Sequence, residues 1–194
     1  MELSIKKEQE TRVEFSLNGI SIPFANMFRK YTMTHVPVFA IESVTFYENT
    51  SSLFDEYLSH RLGLLPLTTP KKVLENAEVT FSLDAEGPQM VYAGSLKSTD
   101  ADVVVAREKV PLATLSPQQT IKLECKAIIA TGRKHAKFQS GIVSYEITEG
   151  KVPTFNFMVE SFSQMNAREL TMRSLDILET QVEDLGKALK KEAK

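Results

Sequence analysis

Cysteine is nearly absent: Cys125 is the only one in 194 residues. A single thiol cannot form an intramolecular disulfide, so no disulfide framework holds this fold. It also excludes a tetrahedral zinc site of the usual cysteine-rich kind. No stretch approaches the ~20 consecutive apolar residues that span a bilayer. Met1 to Glu10 is charged and lacks an apolar segment, so it does not read as a secretory signal. Positive charge is not in excess either, with 23 Lys and Arg against 25 Asp and Glu and a formal net charge of -2. A dedicated nucleic-acid binder needs cations to neutralise phosphates, and only local patches remain for that role. The expectation is a soluble, cytoplasmic chain.

What is present is ordinary globular material, 42% hydrophobic and 25% charged, enough to bury a core in one domain or two. Val13, Phe15 and Leu17 alternate with polar residues as in a half-buried strand, and Asn18-Gly19 follows as a turn. From Pro23 to Thr34 the apolar residues Phe24, Met27, Phe28 and Tyr31 fall at helical spacing, with Pro37 beyond the end. A strand is predicted from about Ala40 to Glu48. A short helix is predicted to start near Ser51-Ser52, with Ser52 and Asp55 at capping-box spacing and Gly63 as its stop. Val73 to Ile147 reads as β, with alternation at Val79, Phe81 and Leu83 and again from Ile121 to Ile129. Phe155, Phe157 and Val159 make one more strand. Asn166 with Glu169 resembles a helix cap, and Leu175, Leu178, Val182, Leu185 and Leu189 then form an apolar seam. Two heptads are too few to stand alone, so the seam needs a packing partner, in this chain or another.

The longest helical patterns lie near the two chain ends, with a β-rich block between them. The economical arrangement is an α+β fold: a discontinuous domain, residues 1–48 and 146–194, with a sheet and two long helices, and an inserted β-rich domain, residues 49–145.

Chemistry finds little footing. Glu56 and His60, four residues apart on the short helix with Asp55 beside them, share a face and have the spacing of an acid/base pair or two metal ligands. Acids in a first turn and a histidine near the last also simply complement the helix dipole, which is the better reading. Thr131 to Lys137 is the most basic stretch, but it lacks the order of a phosphate-binding loop, leaving a solvated turn or a docking loop. Cys125 reads as a small buried hydrophobe, and Met27 and Met33 as core or interface filler. Neither a Ser-His-Asp order nor a glycine-rich dinucleotide fingerprint emerges.

Two stretches are more specific. One runs from Phe24-Ala25-Asn26-Met27-Phe28-Arg29-Lys30 through His35-Val36-Pro37 and Ala40-Ile41-Glu42. It continues through Glu48 to Ser52 and Asp55-Glu56, ending at His60-Arg61-Leu62-Gly63-Leu64-Leu65-Pro66-Leu67. The other is Gly132 with His135-Ala136-Lys137-Phe138. Together they resemble the D-type subunits of archaeal DNA-directed RNA polymerase and their eukaryotic counterparts, which are similar to the amino-terminal region of bacterial alpha. The resemblance covers most of the chain in the family's order.

It implies a non-catalytic assembly subunit whose dimerisation domain is built from both chain ends. Phe24, Met27, Phe28, Tyr31, Leu175, Leu178, Val182, Leu185 and Leu189 would then meet the small subunit L. Asn26, Arg29, Lys30, His60, Arg61, His135 and Lys137 would meet the large subunits. The heterodimer, with small subunits N and P, would form the platform for the second-largest and then the largest subunit. No catalytic residue and no metal ligand is implied.

The chain departs from the family in three places. Arg29-Lys30 stands where two arginines are common, and lysine cannot make the same bidentate pair. Phe138 replaces the usual tryptophan and loses an N–H donor. Many members carry a cysteine-rich ferredoxin-like domain between the equivalents of Tyr145 and Phe155, where this chain has only Glu146 to Thr154. With one cysteine, no iron–sulfur cluster and no other cofactor is expected. A bacterial-type DNA-binding domain is also not expected, since the chain finishes in its helix at Lys194. The competing readings are a homodimeric alpha-like scaffold and a stand-alone metal-dependent hydrolase using Glu56 and His60.

Overall fold

The computed structural model describes residues 1–72, 76–150 and 152–192. In chain order the elements are β1 (Glu2–Glu8), β2 (Arg12–Asn18), α1 (Ile22–Thr34), β3 (Val38–Asn49), α2 (Asp55–Gly63) and β4 (Glu78–Glu86). They continue with β5 (Gln89–Tyr92), β6 (Lys97–Ser98), β7 (Pro111–Leu115), β8 (Thr120–Ala130), β9 (Gly141–Thr148), β10 (Thr154–Ser161) and α3 (Ala167–Glu192). The class is α+β, as the order of patterns in the sequence implies. Val73, the expected start of the β block, and Lys194, the expected end of the last helix, lie outside the described residues.

The chain divides into two units, Met1–Val36 with Thr131–Lys194, and Pro37–Ala130. The first therefore combines both chain ends and the second is inserted. The limits differ from the expected 48/49 and 145/146 because pairing, not local pattern, assigns the strands. β3 pairs with β8 along nearly its whole length, from Val38 opposite Ala130 to Asn49 opposite Ile121. β9 pairs with β10, from Thr148 opposite Thr154 to Gly141 opposite Ser161.

In the terminal unit an antiparallel sheet runs in the order β1-β2-β10-β9. The period-2 alternation puts Val13, Phe15 and Leu17 of β2 directly opposite Val159, Phe157 and Phe155 of β10. These six side chains share one face and are buried. Phe15 stacks on Phe157 at 5.3 Å, and Phe28 of α1 meets Phe157 edge-on at 5.3 Å. Such contacts add to the area that aromatic rings remove from water. Gly19, with φ of 76°, closes the turn between β2 and α1 in a conformation that suits glycine. The side chain of Ser21 caps α1 by accepting from the Phe24 N–H.

In the inserted unit the sheet order is β3-β8-β4-β6, with β5 and β7 forming a separate two-stranded ribbon. Alternate residues Ile121, Leu123, Cys125 and Ala127 of β8 lie in one core with Phe81 and Leu83 of β4 and with Leu58 and Leu62 of α2. The expected start of that helix at Ser51-Ser52 is corrected. α2 begins at Asp55, with Phe54 as its cap residue and no side-chain cap. Ser51 belongs instead to a turn ordered by Asn49, whose Nδ2 donates to the Leu53 carbonyl at 2.9 Å and to Asp55 Oδ1 at 2.6 Å. With its carboxylate held by Asn49, Asp55 is not free to complete a capping box.

No helix of the described residues is long and apolar enough to cross a membrane.

Candidate partner interface

Two helices from opposite ends of the sequence meet in the terminal unit because small residues line their crossing. Ala25 and Thr32 of α1 and Ser174 of α3 are fully buried. The Thr32 hydroxyl is shared between Ser174 Oγ at 2.8 Å and the Phe28 carbonyl at 2.9 Å, and Ser174 donates to the Thr171 carbonyl at 2.8 Å. Two turns further along α3, Tyr31 Oη donates to Gln181 Oε1 at 2.6 Å. Asn166 Oδ1 accepts from the Glu169 N–H at 2.7 Å, so the cap read from the sequence starts α3.

α3 has 26 residues and is thus about 39 Å long. Leu170, Ser174 and Leu178 of its first half are buried against this chain. Beyond Gln181 nothing among the described residues covers the apolar seam, with Val182, Leu185 and Leu189 exposed to 65%, 61% and 63%. Single surface leucines are ordinary, but three in register along one face form a stripe whose burial elsewhere is favourable by roughly 1.5–3 kcal/mol each.

At the other end of α3 the exposed seam continues into a groove of about 240 Å³ whose lining is almost wholly apolar. Leu3 and Ile5 of β1 form one wall, Phe24 of α1 the second, and Met172 and Leu175 of α3 the third, with Phe15 and Phe28 among the remaining lining residues. Leu3 and Ile5 sit opposite Leu17 and Phe15 and so extend the apolar sheet face to its edge strand.

Among the nine residues expected to meet a small partner, Phe28 and Leu178 need correction. They are 2% and 7% exposed and belong to this chain's own core. Phe28 is drawn in by Phe15 and Phe157, and the helix crossing buries Leu178. Phe24, Met27, Tyr31, Leu175, Val182, Leu185 and Leu189 stay at least partly accessible. Leu3, Ile5 and Met172 join this surface without having stood out in the sequence. Leu3 and Ile5 do alternate with Glu2, Ser4 and Lys6, a weak strand signal masked by charge. Met172 precedes Leu175 by three residues and prolongs the seam.

The polar candidates are more dispersed. Asn26 Oδ1 accepts from Tyr145 Oη at 3.1 Å, and Arg29 makes a long contact of 3.9 Å to Met33 Sδ. Lys30 is exposed. In the inserted unit Arg61 donates to the Pro111 carbonyl and lies 5.8 Å from the Tyr57 ring centre, with its Nε buried and unpartnered. His60 and Glu56 are exposed on α2. Among the described residues no group of three or more His, Cys, Asp or Glu side chains gathers to hold a metal.

Thr131 to Lys137 forms a turn and the start of a short 3-10 helix at Ala136–Phe138. His135 Nδ1 accepts from the Lys137 N–H at 3.1 Å, and the ammonium groups of Lys134 and Lys137 lie 5.5 and 5.3 Å from the Phe138 ring centre. Phe138 itself is fully buried, so the aromatic residue of this loop is a core anchor. Cys125 is buried too, and burial followed by the nearby Glu124 pushes its thiol up to about 12.

Comparison with known proteins agrees with this architecture. Residues 44–145, more than half of the chain, match the family model of the RNA polymerase Rpb3/RpoA insert domain. The chain is 41% identical over 186 residues to DNA-directed RNA polymerase subunit Rpo3 of Methanocaldococcus jannaschii, covering 93% of this chain and 94% of that protein. It is 40% identical over 153 residues to the Rpo3 subunit of Thermococcus kodakarensis, covering 75% of this chain and 59% of that relative. With Rpo3 of Halobacterium salinarum it shares 42% identity over 137 residues, 71% of this chain and 54% of the relative. The chain thus spans little more than half the length of several relatives it matches, and nearly all of another. Sequence order, inserted sheet unit and relatives agree, and the chain belongs to the Rpo3 family of archaeal DNA-directed RNA polymerase subunits.

Proposed function

We propose that this chain is a non-catalytic assembly subunit of a cytoplasmic DNA-directed RNA polymerase. In this reading it pairs with the small subunit L through the terminal unit. The pair, with small subunits N and P, then receives the second-largest and the largest subunits. The observation that carries the proposal is the uncovered apolar seam of Val182, Leu185 and Leu189. It runs on, through Leu175 and Met172, towards the groove beside Leu3 and Ile5. A helix of the partner laid along α3 would bury both. Asn26, Arg29, Lys30, His60, Arg61, His135 and Lys137 are the proposed contacts to the large subunits. Arginine suits such a face because its planar fork makes paired hydrogen bonds.

The proposal includes no cofactor. An iron–sulfur cluster needs several thiolates, and the only cysteine is buried and held protonated.

Co-expression with an archaeal subunit L, followed by size exclusion with mass measurement, tests the pairing. A stable 1:1 complex is expected, with the isolated chain self-associating through its exposed seam. A monodisperse, soluble monomer that ignores L would reject the assembly reading, and a homodimer stable in the presence of L would favour the alpha-like alternative.

A further inference from the structure

Where α1 ends, a second cavity of about 310 Å³ opens, lined by Lys30, Tyr31, Thr34, His35 and Arg133. Its charged and titratable groups are Lys30 and Tyr31 from the helix, His35 just after it, and Arg133 from the loop that follows β8. Among the described residues no carboxylate lines it. Arg133 is held there by its backbone N–H, which donates to the Thr34 carbonyl at 3.2 Å. Gly132 permits this approach, since a Cβ at that position would stand 3.0 Å from the Met33 carbonyl oxygen. Neither the Lys30 ammonium nor the Arg133 guanidinium has an ion-pair partner among the described residues.

The histidine is set in a defined state. Thr34 Oγ1 lies 2.7 Å from the Lys30 carbonyl, which only accepts, so the single hydroxyl proton is directed there. The same oxygen is 2.9 Å from His35 Nδ1 and can only accept from it. The neutral ring therefore carries its proton on Nδ1, and Nε2 is the nitrogen that titrates. The ring plane is stacked on Tyr31 at 3.9 Å and 7°, and Tyr31 is anchored by its hydroxyl to Gln181.

We propose that Lys30, His35 and Arg133 form a binding site for a carboxylate from an acidic segment of a protein partner, filled with uptake of one proton by His35. Burial first, then Arg133 and Lys30, lower the pKa of His35, so the empty site holds a neutral imidazole at pH 7. An anion placed between the two cations cancels the repulsion they impose and makes a protonated Nε2 favourable. Binding and protonation then reinforce each other by linkage.

A carboxylate fits better than a nucleic-acid backbone. A chain of phosphates calls for a track of cations, whereas this is one pocket. The adjacent Lys134 and Lys137 lie over Phe138 and do not line it. Because Lys30 is also a proposed large-subunit contact, the identity of the partner rests on the assembly reading. The anion site does not.

The test uses the full chain, a capped hexaglutamate peptide and inorganic phosphate. The protein has three histidines, so ring resonances are assignable by single replacement and followed by NMR across pH. The peptide is expected to raise the His35 titration midpoint and leave that of His60 unmoved. Peptide affinity should fall with rising pH by up to about tenfold per unit in that range. The double variant K30Q/R133Q should bind the peptide at least tenfold more weakly, and H35Q should bind it without the pH dependence.

A His35 midpoint unmoved by peptide, or moved equally with those of His60 and His135, overturns the proposal. So does a response to phosphate alone. None of these results would touch pairing with L, which size exclusion reads separately.

Discussion

Thr32 and Ser174, separated by most of the chain, share a 2.8 Å hydrogen bond in a fully buried position where α1 crosses α3. This contact and the closure of β2 on β10 join the two chain ends into one unit, leaving the distal half of α3 without cover.

That crossing should be sensitive to loss of a hydroxyl. Thr32→Val keeps the shape but removes the hydroxyl that bonds Ser174 and the Phe28 carbonyl, and should cost about 1–2 kcal/mol in urea unfolding. In a double-mutant cycle with Ser174→Ala, the two losses should be less than additive, because either change alone removes the shared bond. Strict additivity would mean that the two hydroxyls act independently.

Exposed and buried positions of the same seam should behave oppositely. The triple variant V182E/L185E/L189E changes side chains that touch little of this chain, so its own stability should shift by no more than about 0.5 kcal/mol per site. Pairing with L should nevertheless be lost on size exclusion. Pairing that survives would place the interface elsewhere on the molecule.

Leu178, one turn earlier, lies in this chain's core at 7% exposure. Leu178→Ala should destabilise the isolated chain by roughly 2–5 kcal/mol. A charged residue there would unfold the helix crossing and make any loss of pairing uninformative. Thermal unfolding of the alanine variant, scored beside the triple variant, separates the two effects.

Cys125 gives a pH prediction. Its folded thiol titrates at about 12, above the ordinary value of 9.0, because burial disfavours the thiolate. A group whose folded value is raised contributes stability that is present below its unfolded value and is lost as pH rises between the two. Above pH 9 the unfolded chain releases a proton that the folded chain retains. Stability should therefore fall by about 1.4 kcal/mol per pH unit from this group. Cys125→Ala should lack that portion of the slope, as urea titrations of both proteins from pH 8 to 11 would reveal. Thiol reagents should label wild type only after unfolding.

Much of the fold is legible locally. Alternation at Val13, Phe15 and Leu17, and again at Phe155, Phe157 and Val159, shows each segment to be a strand with one apolar face. The Asn166–Glu169 cap and the leucine spacing mark α3. Other features stay hidden because they depend on residues far apart in sequence. β1 is masked by its charges, and only pairing with β2 reveals Leu3 and Ile5 as part of the sheet face. Ser52 has the spacing of a cap, but Asn49 competes successfully for Asp55. Arg133 and His35 are nearly a hundred residues apart, and nothing in either segment indicates that they border one cavity.

The amino-acid order determined the period of each element, the lack of thiols for a cluster, and the motifs shared with its family, since these reside in neighbouring side chains. Tertiary packing decided which part of each apolar face is used within the chain. Phe28 and Leu178 go inside because Phe157 and the α1–α3 crossing reach them. Val182, Leu185 and Leu189 stay outside because no other element of the described residues packs over them.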